Sequence, residues 1–181
     1  MQAQSGRNGE PFAVEQLVLE GDGSFPNNQL PVLLYRGALP RELRSADACL
    51  RHFEEHGWSN GWVDGIFEYP HFHSTTHEVL GIISGVATLS LGGPSGRIVE
   101  VEAGDVLILP AGTAHENRGH RNLQVVGAYP GGVDYDIRRG DPAEYEDSLV
   151  RIRTVGLPEQ DPVLGKQGPL VTIWPGDSPS D

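Results

Sequence analysis

The chain has 181 residues, a formal net charge of -12 and 38% hydrophobic residues. This length and composition predict one globular domain, residues 1–181, and exclude a largely disordered chain. Because 25 acidic residues outweigh 13 basic ones, the surface repels phosphate backbones, and we expect no nucleic-acid partner.

The cysteine content and the N-terminus indicate the cellular compartment. Cys49 is the only cysteine, so an intrachain disulfide is excluded and a reducing environment is favoured. Residues 1–11 are polar and lack the apolar core of a signal peptide. No apolar run approaches the roughly 18 residues that span a bilayer. We therefore expect a cytoplasmic protein without a membrane partner.

The N-terminal part, residues 12–57, predicts strands followed by one short helix. Residues 14–20 and 30–35 are apolar runs, and turn residues lie between them. The helix follows Ser45, which can cap its first turn, and Gly57 closes it. Between these ends, apolar side chains recur at helical spacing, namely at Ala46, Leu50 and Phe53.

From residue 61 to residue 130 the pattern becomes one of short strands and turns, which predicts the core of an all-β sandwich or closed barrel. The 24 glycines and 14 prolines of the chain agree with frequent turns. After Gly140 the chain becomes acidic, and beyond Gly156 it is rich in proline. Residues 141–181 therefore predict an extended C-terminal arm, packed on the barrel or on a second subunit.

Histidines and one glutamate form a candidate metal site within the strand region. His71 and His73 are two residues apart, so in a strand both project from one face, about 7 Å apart along the backbone. Glu78 heads the next apolar run, and a turn delivers His115 from a later strand. Three imidazoles and one carboxylate suit one divalent ion of Fe, Mn, Ni, Zn or Cu. Such an ion keeps a net positive charge and attracts an anionic oxygen.

The spacing of these residues resembles the two motifs of the cupin superfamily. The first motif, Gly-x5-His-x-His-x4-Glu-x6-Gly, and the second, Gly-x5-Pro-x-Gly-x2-His, are matched by Gly65, His71, His73, Glu78, Gly85, Gly104, Pro110, Gly112 and His115. The second motif usually ends in an asparagine, where this chain has Gly119. The resemblance implies a cupin double-stranded β-helix, a jelly-roll barrel, with metal ligated by His71, His73, Glu78 and His115.

Longer stretches, at residues 21–35, 71–81 and 127–136, resemble the YjlB-type cupins, which are single-domain bacterial proteins. This resemblance implies a fold and a metal site but no substrate. Together with the apolar residues of the C-terminal arm, it predicts a homodimer.

Two neighbours, His77 and Glu78, compete for the fourth ligand position. An unbroken strand from His71 would place His77 on the same face as His71 and His73. A break at residues 74–76 reverses which face the later side chains occupy, and Glu78 then points inward with Leu80 and Ile82. The second alternative agrees with the cupin spacing, so Glu78 is predicted as the ligand.

Two functions remain open at this stage. The first is a metal-dependent dioxygenase or isomerase that acts on a small oxygenated acid or enol, with His77, Glu116 and Tyr129 as candidate catalytic groups and Asp134 and Tyr135 at the mouth. The second is a non-catalytic module that binds a small molecule through the metal. Three tryptophans could line a pocket for an apolar ligand, although a core position is favoured for each: Trp58, Trp62 and Trp174.

Overall fold

The computed structural model describes residues 11–175, which form one antiparallel β-structure with three α-helices. The strands are β1 (Ala13–Leu19), β2 (Asn28–Arg36), β3 (Trp58–Asp64), β4 (Glu78–Leu91), β5 (Arg97–Glu102), β6 (Val106–Leu109) and β7 (His115–Pro130). The helices are α1 (Ala46–Glu55), α2 (Tyr145–Thr154) and α3 (Pro169–Ile173). Within this range, no helix combines the length and the apolarity needed to cross a bilayer.

Strands β4 and β7 form the centre of the sheet, whose order is β1-β2-β6-β4-β7-β3 with β5 paired to β4. The first residues of β4 pair with β6, and residues 86–91 pair with β5. Between these stretches Gly85 has φ +77°, and a Cβ there would lie 2.3 Å from the carbonyl oxygens of Arg121 and Asn122. Only glycine fits where β4 changes partner. The predicted all-β cupin fold is confirmed.

Alternate residues of the central strands enter two different hydrophobic clusters, one on each face of the sheet. The inner cluster lies inside the barrel and includes Val32, Leu34, Leu80, Ile82, Leu107 and Leu109. The outer cluster joins the sheet to helix α1 and to the C-terminal segment, and it includes Leu33, Tyr35, Cys49, Phe53, Val106, Ile108, Leu170 and Trp174. Because both faces are buried, these strands appear in the sequence as continuous apolar runs rather than as alternating ones.

Helix α1 forms where the sequence predicts it. The Ser45 side chain accepts a hydrogen bond from the Ala48 N–H, which caps the helix, and Gly57 follows its end with φ +81°. The helix buries Cys49 and Phe53 against the sheet. Burial raises the pKa of the Cys49 thiol to about 12, so this thiol stays protonated at neutral pH.

The C-terminal segment differs from the predicted extended arm in that it contains helices α2 and α3. It packs on the barrel of its own chain, which is one of the two predicted alternatives. Asp161, which is fully buried, accepts hydrogen bonds from the Tyr35 hydroxyl and from the N–H groups of Val163, Leu164 and Leu170. In addition, the Trp174 indole N–H donates to the carbonyl of Pro31. Residues 161–174 are thus part of the folded domain.

Candidate metal centre

Three histidine side chains converge at one end of the barrel interior. The ligand nitrogens of His71, His73 and His115 lie within 4.8 Å of one another, and all three residues are buried. His71 forms an isolated antiparallel bridge with His115, and its neighbour Phe72 forms another with Arg138. The predicted strand at residues 71–73 is therefore a pair of single bridges, and these bridges hold the two imidazoles beside the start of β7.

Each of these imidazoles has its Nδ1 atom beside a backbone carbonyl. His71 Nδ1 lies 3.0 Å from the oxygen of Tyr69, and His115 Nδ1 lies 2.9 Å from the oxygen of Thr113. His73 Nδ1 lies 2.5 Å from the oxygen of Asp136. A carbonyl can only accept, so we assign the ring proton to Nδ1 in each case. The Nε2 lone pairs then remain available to a metal ion.

Glu78 is the first residue of β4 and faces the same space. Its Oε2 lies 3.3 Å from Nε2 of His73, and its Oε1 lies 3.2 Å from Nε2 of His115. Glu78 is 2% exposed, and its Oε1 has no hydrogen-bond partner within the described residues. A buried carboxylate oxygen without a donor is unfavourable, and a cation at this place would satisfy it.

The charge balance of the cluster favours a positive ion. Burial raises the pKa of Glu78, but the imidazoles of His73 and His115 outweigh it and hold that pKa well below its usual range. Burial lowers the pKa of His73, but the Glu78 carboxylate outweighs it and raises that pKa overall. For His71, burial and the neighbouring His115 lower the pKa to about 3, so this ring is neutral at physiological pH. The ionised carboxylate of Glu78 attracts positive charge to the cluster, and a divalent transition metal would supply that charge in place of a proton on His73.

Tyr129 joins this cluster through the Glu78 carboxylate. Its hydroxyl donates to Glu78 Oε2 at 2.8 Å and accepts from the Trp62 indole N–H, also at 2.8 Å. The Trp62 ring lies flat against β7 because residue 127 is glycine, where a Cβ would come within 2.2 Å of the indole. Of the three tryptophans, Trp62 lines the cavity, whereas Trp58 and Trp174 are buried in the outer cluster.

A second set of polar contacts holds the loop that supports His73. The Asp136 carboxylate accepts from the backbone N–H and the hydroxyl of Ser74, and Arg138 donates to it at 3.0 Å. Arg138 also bonds to Asp147 of helix α2 at 2.8 Å. This network links the carbonyl that anchors His73 to the C-terminal segment. No local feature of the sequence indicates it, because Ser74 and Asp136 lie far apart in the chain.

His77 lies outside the cavity, which corrects its assignment as a pocket group. Its Nδ1 accepts from the N–H of Ala111 at 2.9 Å, and its Nε2 lies 3.0 Å from the carbonyl of Gly156. The ring packs against Trp174. With both nitrogens engaged by the backbone, His77 connects the turn before β7 to the C-terminal segment. Burial lowers its pKa to about 4, although the contact with Gly156 opposes this.

The lowered pKa of His77 predicts how the stability of the folded protein depends on pH. The unfolded chain protonates His77 below about pH 6.5, whereas the folded chain does so only near pH 4, so stability is lost as the pH falls between these values. In metal-free protein, urea unfolding at pH 5 and pH 7 should show that wild type loses about 2 kcal/mol more than His77→Gln. If the free energy of unfolding fell equally in wild type and in His77→Gln, protonation of His77 would not be the cause of the loss.

Glu116 also faces away from the cavity. It forms an ion pair with Arg118 at 3.2 Å, and it lies one residue after His115, on the opposite face of β7. Among the candidate catalytic groups, only Tyr129 lines the cavity, which also includes Tyr135. The Tyr135 ring stacks on Tyr129, with 4.6 Å between centroids, and lies edge-on to His73.

Comparisons with known proteins agree with this geometry. The family model for the cupin domain matches residues 62–126, which include the three histidines and Glu78. The Bacillus subtilis (strain 168) protein YjlB, described as uncharacterized, is 39% identical over 155 residues, which cover 84% of this chain and 92% of that protein. The chain is a YjlB-type cupin.

Solved structures similar to this cupin carry different functions. Acireductone dioxygenase from Bacillus anthracis, solved with a cadmium ion in its active centre, is 20% identical, with a TM-score of 0.41, over 57% of this cupin and 80% of that chain. The lyase DddQ from Ruegeria pomeroyi, which is named for DMSP, is 16% identical, with a TM-score of 0.34, over 76% of this cupin and 57% of that chain. At these scores the likenesses assign no activity to this cupin.

The position of Glu78 predicts its effect on metal affinity. Glu78→Gln removes the only negative charge between His73 and His115 and turns an amide toward their nitrogens. We expect Zn(II) affinity, measured by competition with a chelating dye at neutral pH, to fall at least about tenfold. His77→Gln is the matched control and should leave the affinity unchanged. The reverse ranking of the two variants would show that His77 is the ligand instead.

Proposed function

We propose that this cupin binds one divalent transition metal through His71, His73, Glu78 and His115 and uses it as an oxidoreductase of the dioxygenase type or as an isomerase. The substrate is a small oxygenated acid or enol. The observation that carries the proposal is the donor set itself. Three imidazoles anchored through Nδ1 lie together with a buried carboxylate oxygen that has no donor among residues 11–175, and all of them line a cavity that opens to solvent.

A residue next to the metal donors, Tyr129, determines which oxygen of Glu78 is left for an ion. The Tyr129 hydroxyl holds Glu78 Oε2, so Oε1 is the oxygen left for an ion. Burial and the Glu78 carboxylate raise the pKa of Tyr129, so its hydroxyl stays protonated and keeps its hydrogen bond to Glu78, and it acts neither as a base nor as a strong acid. When bound, the metal supplies Lewis acidity toward substrate oxygens and, if redox-active, electrons for dioxygen.

The test begins with elemental analysis of protein purified without added metal. Iron-loaded protein is then mixed with small carboxylic acids and enols, and oxygen uptake and product formation are followed by electrode and by NMR. Oxygen consumption supports a dioxygenase, and product formed without oxygen consumption supports an isomerase. The variant Glu78→Gln is the control, because it retains the cavity but should lose metal. Metal-free wild-type protein with equal activity would contradict the proposal.

One observation favours a second function, a non-catalytic module that binds a small molecule through the metal. Among the cavity-lining residues of the described chain, Asp64 is the only acid or histidine outside the donor set, and its Oδ1 accepts from the Gly65 N–H. The cavity is therefore poor in groups that can act as a general base. Tight binding of an acid that is left unchanged, with no oxygen consumed, would establish this second function.

A further inference from the structure

Outside the metal donors the wall of the cavity is mainly apolar, and its polar groups are Asp64 and the hydroxyls of Tyr129 and Tyr135. The cavity has a volume of about 180 Å³. Its buried end carries the histidines and Glu78, and the remaining wall is formed mainly by Trp62, Val63, Ile66, Phe67, Leu80, Tyr135 and Ile137. At the mouth, large apolar side chains remain partly exposed, with 46% for Phe67, 45% for Ile137 and 40% for Tyr135. Exposed apolar groups around a polar centre are typical of a ligand site.

Positive charge is missing from this wall. None of the cavity-lining residues between 11 and 175 is lysine or arginine. Arg139, which follows the loop of Tyr135, places its guanidinium 3.6 Å from the centroid of the Tyr69 ring and is not part of the lining. A second anionic group on a ligand would find no lysine or arginine in the cavity and would face the carboxylate of Asp64. Several hydroxyl groups along the ligand body would lose water and gain few partners, because Asp64 and the tyrosine hydroxyls are the main polar groups outside the donors.

The size of the cavity limits the ligand further. A dry apolar cavity of about 150 Å³ accepts benzene. A cavity of about 180 Å³ therefore holds one six-membered ring with a short headgroup, and a longer substituent could extend over the exposed mouth. Aromatic rings of Trp62, Phe67 and Tyr135 offer faces and edges to such a ring.

We infer that the ligand is a monocyclic or branched apolar molecule with a single anionic oxygen headgroup, such as a monocarboxylate, enolate or phenolate. The headgroup faces the metal donors, and the apolar body packs on Trp62, Phe67 and Ile137. This inference rests on the proposed metal centre and gives it a substrate class. Sugars, sugar phosphates and dicarboxylates are excluded by the same wall, because they carry polar or anionic groups beyond the headgroup.

The test uses zinc-loaded protein, in which a redox reaction cannot obscure binding. Benzoate and cyclohexanecarboxylate are compared with gluconate, which has the same charge but a polyhydroxylated body, by isothermal titration calorimetry and by tryptophan fluorescence. We expect the two ring acids to bind at least about tenfold more tightly than gluconate. Ile137→Asp should weaken benzoate binding at least about tenfold with unchanged zinc content. Ile98→Asp, on strand β5 and 60% exposed, is the matched control and should bind benzoate as wild type does.

The outcomes separate this inference from the proposed function. Zinc-loaded protein that binds gluconate as tightly as benzoate overturns the substrate class alone. Benzoate binding that is unaffected by Ile137→Asp also overturns the substrate class alone, because the apolar body of the ligand would then lie elsewhere. If wild-type protein takes up no zinc, the proposed metal centre and the inferred substrate class are both wrong. Elemental analysis measures this zinc content directly.

Discussion

Replacing two of the histidines, in the double variant His71→Ala, His73→Ala, is expected to reduce the metal content from about one ion per chain to nearly none. The two residues supply half of the four donors, and their Nε2 atoms have no substitute nearby because the remaining wall of the cavity is largely apolar. Carbonyl groups that now anchor these rings cannot replace neutral imidazole for a transition metal. Elemental analysis of the purified variant, with circular dichroism to verify folding, gives the result.

A matched control removes two other imidazoles. His52 lies on helix α1 and contacts the carbonyl of Val163, and His56, which follows the last residue of the helix, contacts the carbonyl of His52. The variant His52→Ala, His56→Ala should keep the metal content of wild type. If the cavity variant retained a full complement of metal, the metal centre would have to be sought elsewhere in the chain.

The second large effect is expected on stability, from the variant Asp161→Ala. The carboxylate of Asp161 accepts three backbone N–H groups and the Tyr35 hydroxyl, all in the buried interior between the barrel and the C-terminal segment. Removing it takes the side-chain acceptor from the N–H groups of Val163 and Leu164, whereas the N–H of Leu170 keeps the Tyr35 hydroxyl as a second acceptor. Because each buried donor that loses its acceptor costs about 1–3 kcal/mol, we expect the free energy of unfolding to fall by at least about 3 kcal/mol. Urea unfolding monitored by tryptophan fluorescence measures the loss.

Asp141→Ala is the control for this variant. Its carboxylate also accepts a backbone N–H, from Ala143, but at an exposed position where water can replace it. We expect a loss of about 1 kcal/mol or less. Equal losses in both variants would mean that the buried contacts of Asp161 contribute no more than a surface cap.

The C-terminal segment packs on its own chain and therefore leaves the predicted homodimer without the contact on which it depends. The predicted homodimer depends on apolar residues of this segment contacting a second subunit, but Leu170 and Trp174 are buried in the outer cluster of their own chain. A dimer therefore stays a prediction that needs another surface. Light scattering of wild-type protein at high micromolar concentration tests it, and a monomeric mass would contradict it.

Much of the site could be predicted because its spacing follows from the strand pattern. The break at residues 74–76 reverses which face the later side chains occupy. Glu78 and Leu80 therefore point into the barrel, while the ring of His77 points outward to the carbonyl of Gly156. Helix α1 was predictable for a similar reason, since its cap and its apolar spacing are local. Of the three candidate catalytic groups, Tyr129 is the one whose hydroxyl contacts Glu78.

The remaining features depend on contacts between distant parts of the chain. Helix α2 has apolar residues at helical spacing, Tyr145, Leu149 and Ile152, but they are only half-buried and lie in an acidic stretch, so the helix signal is weak. The network of Asp136 and Arg138 acts on His73 through Ser74 and a backbone carbonyl, and such contacts leave no spacing in the sequence. The apolar wall of the cavity likewise combines β3, the loop before His71 and residues 135–137, which only the folded barrel brings together.

The carbonyl groups that hold the three imidazoles also affect how fast an ion enters and leaves. Tyr69, Thr113 and Asp136 fix the rings before any ion arrives, so the loss of side-chain freedom belongs to folding rather than to capture. Capture is then limited by the diffusion of the ion through the mouth and by the removal of its water. Departure of an ion by the same route would require only that its bonds to the ligands break, and rings that stay in place would favour its recapture. The time that an ion stays bound would thereby depend on three backbone carbonyls of residues whose own side chains do not ligate it.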